Sequence, residues 1–513
     1  MKDADTMVLS RPDGPVEIGV EDPWGEDRVA GPGGAETLAS GGTTTRAPRW
    51  RVAAWLVPAL LMGALGAVRA STPGLRTEEL VTWRSATSPW RDSWSALYRG
   101  DGTMTPYHLL MRAWAEAFGA SDLALRVPSI LAMAAAAALL GAAVARMFTP
   151  GTGVLAGVIF ALLPASTRYA QEAQPYALTL LAAVLATWLL LCAVDRPRLW
   201  RFAAYAGAVI ILGLAHALAL LLLVGHGWAV LAFRRGVVGR WLAAAFLGAL
   251  PAAALVWLAV RDGGQLFPAS RPSLTALAAT PRELFGAATL GALLLGLALL
   301  SLPLRYAAAV FTAWAVVPPL VLLLAAQATP IWSPQWLLFT LPAWAALGAA
   351  ALSRVRVRLS TAVVAVIALI SAPVQLATRA ADGHEQDTRQ LARIIGGHVQ
   401  SGDGVVYGAG DTADGAGVRN VVTRYLRADR RPVDVLPAAA AGDNGRQPVA
   451  GCADDCLRGV RRLWVIRVGE RTDPVPPVLG GAEALLRSRY HVAQVWRPTG
   501  FTLALLVDER PDL

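Results

Sequence analysis

Between residues 52 and 377 the chain is divided into apolar runs, near 52–69, 124–145, 151–164, 175–194, 199–214, 216–233, 240–260, 283–302, 306–326, 334–352 and 359–377. Several reach the ~20 residues that cross ~30 Å of hydrocarbon at 1.5 Å per residue. This succession constrains the chain more than any other feature. It predicts an α-helical polytopic membrane protein with about eleven transmembrane helices, the third and fifth being short enough to be tilted, merged or partly re-entrant. Composition agrees: charged residues are 16% and mean hydropathy is +0.46, against about 25% charged in a soluble domain.

The flanks differ. Residues 1–48 are rich in Gly, Pro, Asp and Glu and cannot bury a core, which predicts a disordered tail. They lack the basic start and apolar centre of a signal peptide. From about 380 the composition turns soluble. Leu391, Ile394 and Ile395 share one helical face, and "GDGVVYG", "RRLWVIRVG", "HVAQVW" and "FTLALLVDE" read as strands of a small α/β domain over 380–513. The "GAGDTADGAG" loop matches neither the dinucleotide fingerprint nor the phosphate loop ending in GK[ST], and reads as a flexible connection.

The net charge of +10 comes almost wholly from arginine, Lys2 being the one lysine. Its placement is topological. With the N-terminal tail in the cytoplasm, the inside loops hold Arg146; Arg196, Arg198 and Arg201; Arg234, Arg235 and Arg240; Arg305; and Arg354, Arg356 and Arg358. An odd number of spans then puts the C-terminal domain outside the cytoplasm. Nothing in the basic balance resembles a nucleic-acid surface. Cys452 and Cys456 in "CADDC" are too few for a structural zinc site, and a disulfide between them stays open.

Under this topology several polar residues share the outer side. Glu78 and Glu79 follow the first span. The long outer segment 70–123 carries Asp92 and Asp101, and within it "TPYHLLMRAWAEAFG" reads as a surface helix, on the membrane or on the bundle. Arg126 opens the second span. Arg168, Tyr169, Gln171, Glu172, Gln174 and Tyr176 lie in the next outer connection, His216 in a short turn and Gln335 at the start of the tenth span. A charge at mid-bilayer costs roughly 2.5–3.5 kcal/mol on insertion scales, so groups of both signs on one side imply a polar cavity. Singly, each has a plainer reading. Arg168 and Glu172 make a helical pair worth ~0.3–0.5 kcal/mol, the tyrosines are belt anchors, and His216 is a core histidine.

The order of the motifs says more. The acidic pair Glu78–Glu79, then "TPYHLL…LRVPS" from Thr105 to Ser129, then "RYAQEAQPYAL", then "SPQWLLFTLP" resembles the GT-C membrane glycosyltransferases that use polyprenyl-phosphate sugars, in the branch of protein mannosyltransferases and aminoarabinose transferase. The resemblance covers about residues 50–380. It implies a transmembrane GT-C-like domain over 49–379 in the plasma membrane, a polyprenyl-phosphate-sugar donor, and a glycan, lipid or protein acceptor. It makes Glu78 the general base, Glu79 its acidic neighbour and Asp101 a second catalytic candidate. Arg126, Arg168, His216 and Gln335 would meet the donor phosphate, with Tyr169, Gln171, Glu172 and Tyr176 in support. Glu78 stands where the family has aspartate, and Gln335 and Gln174 where it has arginine. No metal ligand set is implied, and a need for a divalent metal stays open. A lipid or glycan transporter, or an inactive scaffold, would use the same cavity.

Overall fold

The computed structural model describes residues 47–95, 102–261, 271–302, 306–408, 415–435, 457–475 and 482–509. Asp101, Cys452, Cys456 and most of the "GAGDTADGAG" loop lie outside the described residues.

Helices dominate. α1 (Ala47–Ala67) is followed by α2 (Thr77–Thr87), α3 (Trp90–Ser95) and α4 (Thr105–Phe118) in the first loop. The bundle continues through α5 (Asp122–Met147), α6 (Pro150–Leu162), α7 (Pro164–Ala170), α8 (Tyr176–Asp195), α9 (Leu199–Ala215), α10 (Leu222–Phe233) and α11 (Val238–Arg261). It closes with α12 (Leu274–Phe285), α13 (Ala288–Leu300), α14 (Tyr306–Ala328), α15 (Leu341–Leu352) and α16 (Val357–Thr378).

Among the described residues seven helical segments are long and apolar enough to cross a membrane, or nine if two bent pairs each count as one. The segments of α9 and α10 are apolar but short. The expected eleven apolar runs are all helical, but eleven full spans are not seen. α6 and α7 bend by 69° and α12 and α13 by 84°. Pro164, which lacks an N–H and would clash one turn back, starts α7 after the first break. Gly286, at φ +88°, ends α12 in the left-handed region. A Cβ there would stand 2.6 Å from Pro164 Cβ, so the two breaks meet and only glycine fits between them. Close helix contact through small residues recurs elsewhere: a Cβ on Gly141 of α5 would collide with the Ala54 carbonyl of α1.

The C-terminal region forms a five-stranded mixed sheet in the order β2-β1-β3-β5-β4, with β1 (Gly404–Tyr407), β2 (Val433–Asp434), β3 (Arg462–Val468), β4 (Tyr490–Trp496) and β5 (Phe501–Asp508). β1 pairs in parallel with β2 and β3, while β5 is antiparallel to β3 and β4. α17 (Thr388–His398), α18 (Gly415–Tyr425) and α19 (Ala482–Arg489) complete it. The anticipated helical face is present: Leu391 and Ile395 of α17 are fully buried. Their core is not confined to this region. Leu80 of α2, Tyr107 and Met111 of α4 and Leu125 of α5 pack in one cluster with Val421 of α18, Trp464 of β3 and Phe501 and Leu503 of β5. The first loop and the C-terminal sheet therefore share a hydrophobic interior. Asp122 fastens the same junction, accepting from Arg389 at 2.6 Å, Arg424 at 3.0 Å and Tyr425 at 3.2 Å.

Candidate active site

The site is built where α1, α5, α7 and α8 reach the C-terminal domain. α2 begins with "RTEEL", and two carboxylates in a first helical turn suit the helix dipole. Their fates differ. Glu79 is completely buried, and its two oxygens accept four hydrogen bonds. Oε1 accepts from Arg126 Nε at 2.9 Å and from the Ala173 amide at 2.8 Å. Oε2 accepts from Arg126 Nη2 at 2.7 Å and from the Arg76 amide at 3.0 Å. Arg126 gives its remaining donors to the carbonyls of Ala70, Pro73 and Gly74. All five of its N–H groups are thus committed inside the protein. In this arrangement Arg126 has no donor left for a phosphate, and with Glu79 it pins residues 70–76 to α5 and to the connection before α8.

Glu78, one residue earlier, points elsewhere. Its side chain is 40% exposed and lies 3.4 Å from Arg76 Nη2. It lines a small cavity of about 50 Å³ together with Arg76, Glu172, Gln174, Tyr176 and Gln335, and Glu79 borders the same cavity from its buried position. A larger cavity of about 510 Å³ adjoins it, sharing Arg76 and Gln335. This one is lined by Arg76, Arg168, Tyr169, Arg282, Glu283, Ser333 and Glu385, with Pro164 and Gly286 from the two helix breaks. Broken helices are how a bundle opens polar space at membrane depth, since the freed backbone faces a cavity rather than lipid.

Glu172 lies between the arginines. Its Oε1 accepts from Arg168 Nε at 3.0 Å and meets Arg76 Nη1 at 3.5 Å. Burial by itself would raise this carboxyl, but Arg168 and Arg76 outweigh it and hold it down at about 2. Arg168 also donates to Glu385 at 2.9 Å. Gln171 supports the site from behind, donating to the carbonyls of Gly66 and Val68 at the end of α1. Ser129 donates to the Glu172 carbonyl at 2.7 Å.

His216 is buried in a row of rings, 5.9 Å from Tyr176 and 6.4 Å from Trp336, and Tyr176 in turn meets Tyr169 edge-on at 5.2 Å. It lines neither of these two cavities and packs against Tyr176. Gln335 does reach both cavities. Among the described residues no group of three or more His, Cys, Asp or Glu is arranged to hold a metal ion.

Four charged cavity residues, Arg76, Arg282, Glu283 and Glu385, escaped the motif reading. Arg76 directly precedes the acidic pair, where a reader sees only a turn. Arg282 sits in "TPRELFG", which carries weight for topology alone. Glu385 lies in "DGHEQD", in the connection between α16 and α17, and no local pattern marks it.

Residues 105–257 match the family described as dolichyl-phosphate-mannose-protein mannosyltransferase. No curated protein matches the sequence. ArnT from Cupriavidus metallidurans in the apo state has a similar structure, with a TM-score of 0.55 at 13% identity over 90% of this chain and 98% of that one. The same protein bound to undecaprenyl phosphate matches with a TM-score of 0.55 at 14% identity and the same coverage. Both findings bear out the resemblance carried by the motifs: the chain is a multi-pass membrane protein with the GT-C fold, and its residues 105–257 match the dolichyl-phosphate-mannose-protein mannosyltransferases.

Proposed function

We propose that this protein transfers a sugar from a polyprenyl phosphate to an acceptor hydroxyl, with Glu78 as general base. The observation that carries this reading is the pair of adjoining cavities. One presents a half-exposed carboxylate, the other three guanidiniums, and Arg76 and Gln335 belong to both. The donor phosphate fits the larger cavity, against Arg168 and Arg282, with Arg76 at the junction. The acceptor oxygen enters from the smaller one. It attacks the sugar C1 as its proton passes to Glu78, and the C1–O bond to the phosphate breaks. The polyprenyl phosphate leaves as an anion, and fixed guanidiniums stabilise the charge where it develops. The larger cavity falls in the usual range of roughly 300–1,000 Å³ for ligand sites. Support for the lipid comes from the ArnT structure with undecaprenyl phosphate.

Arginine placement in the short loops supports a cytoplasmic N-terminus and a site that opens outside the plasma membrane. Glu79 and Arg126 form the frame of the site in this reading, and Glu172 holds Arg168 and Arg76 in place. The test uses purified protein, a polyprenyl-phosphate sugar and an acceptor extract, comparing the wild type with Glu78→Gln. We expect transfer to fall by at least about a hundredfold with folding intact, in line with the ~10²–10⁴ contributed by general bases. Transfer indifferent to the substitution removes Glu78 from the mechanism. Movement of labelled lipid without transfer turns the reading into a transporter.

A further inference from the structure

The connection between α16 and α17 sends one carboxylate into the larger cavity. Glu385 Oε1 accepts from Arg168 Nη1 at 2.9 Å, and Oε2 lies 3.9 Å from Arg76 Nη2. These are two of the three guanidiniums assigned above to the donor phosphate. The Glu385 side chain is nevertheless 67% exposed, and among the described residues it is the arginines that hold it there.

Its backbone is unusual. Among the described residues only Arg69 and Glu385 are non-glycine residues with positive φ, Glu385 at +68°. The left-handed region costs such a residue on the order of 1 kcal/mol or more. The surroundings impose it. Just before it, Arg379 ties the end of α16 to the carbonyls of Leu65 and Val68. Just after it, Gln386 accepts from the Thr77 amide at 2.8 Å, the Asp387 amide donates to the Thr499 carbonyl at 2.9 Å and Asp387 caps α17. The backbone is anchored on both sides, while the side chain can leave by rotation about its own bonds.

We propose that Glu385 is a tethered competitor for the donor phosphate: its carboxylate occupies the arginines of the empty site, is displaced when a polyprenyl phosphate enters, and returns as the spent lipid phosphate departs. This deepens the functional reading above and rests on it. Carboxylate and phosphate both take guanidinium hydrogen bonds with the same geometry, so the two anions exclude each other. Held on a fixed backbone, the carboxylate acts at an effective concentration that bulk solutes do not reach. The consequence is a deliberately weakened hold on the lipid phosphate, which favours release of the product.

The experiment measures binding of undecaprenyl phosphate to the full chain in lipid nanodiscs, for the wild type, Glu385→Gln, Glu385→Gly and Arg168→Ala. The first variant removes the charge and keeps the shape; the second also relieves the backbone. Glu385 is exposed, and melting temperatures no lower than that of the wild type confirm that both variants fold. We expect Glu385→Gln to bind roughly twofold to fivefold tighter, the scale of a partly exposed ion pair, and Glu385→Gly at least as tightly. In transfer assays the KM for the donor falls and inhibition by added undecaprenyl phosphate strengthens. Unchanged or weaker binding in Glu385→Gln, while Arg168→Ala loses affinity, overturns the competitor and leaves the arginine site standing. Affinity that ignores Arg168→Ala overturns the arginine site itself, and the competitor with it.

Discussion

Replacing Glu79 by glutamine separates its role from that of Glu78. The Glu79 oxygens accept four hydrogen bonds, two on each. An amide offers one acceptor and one donor. Whichever way the new amide turned, its NH₂ would face two N–H donors: Arg126 Nε and the Ala173 amide, or Arg126 Nη2 and the Arg76 amide. The guanidinium would also lose a salt bridge in which both side chains have zero exposure. Breaking one side of a buried pair costs about 3–5 kcal/mol. Spread over a compact unit that runs from Thr45 to Leu513, that is roughly 3–5 °C of melting temperature. The assay is thermal unfolding in detergent, followed by tryptophan fluorescence, beside the transfer assay. Glu79→Gln should melt early, while Glu78→Gln should melt like the wild type and be inactive. Glu79→Gln with a wild-type melting temperature and no transfer refutes the division of labour, because Glu79 would then be acting on substrate.

Two further outcomes follow from the same network. The Glu172 carboxyl is held at about 2 against an ordinary value of 4.5, so its stabilisation is complete above that ordinary value and lost as pH falls toward the depressed one. Acid unfolding between those limits should be shallower in Glu172→Gln, which is already less stable at neutral pH; an identical acid profile counts against the Arg168–Glu172–Arg76 arrangement. Asp122→Asn weakens the bonds to Arg389, Arg424 and Tyr425. At ~1.5–3 kcal/mol for a hydrogen bond to a charged group, limited proteolysis between 379 and 387 should quicken several-fold, and unchanged cleavage shows that the shared apolar core alone holds the junction.

Much of the fold is legible in the sequence because hydrocarbon asks for a simple pattern. A run of about twenty apolar residues needs no partner to be recognised, and the runs that are short or bent in the structure are those around Pro164, His216 and Gly286. The strands around Val405, Val465, Val492 and Leu503 stand out by the same local logic. β2, two residues long, carries no pattern, and α18 starts inside a glycine-rich stretch that reads as loop. The site is harder. Adjacent carboxylates look alike, and only contact with Arg126, 47 positions away, sets Glu79 apart from Glu78. Arg126 and His216 fall at the same end of the bundle as the cavities, but whether a side chain there faces a cavity or the interior depends on neighbours that spacing does not encode. Glu385 meets Arg168 across 217 positions, and no short motif spans that distance.

The interior shared by the first loop and the C-terminal sheet also fixes an order of events during synthesis. Asn420 donates to the Leu80 carbonyl across 340 residues. At about 5–20 residues per second, the ribosome needs roughly 17–68 s to deliver the second partner after the first. Through that interval α2, with its neighbouring carboxylates, waits without the surface it packs on. A chain cut short before β5 lacks Phe501 and Leu503, and so reaches the bilayer with its helices in place and the surface under α2 incomplete.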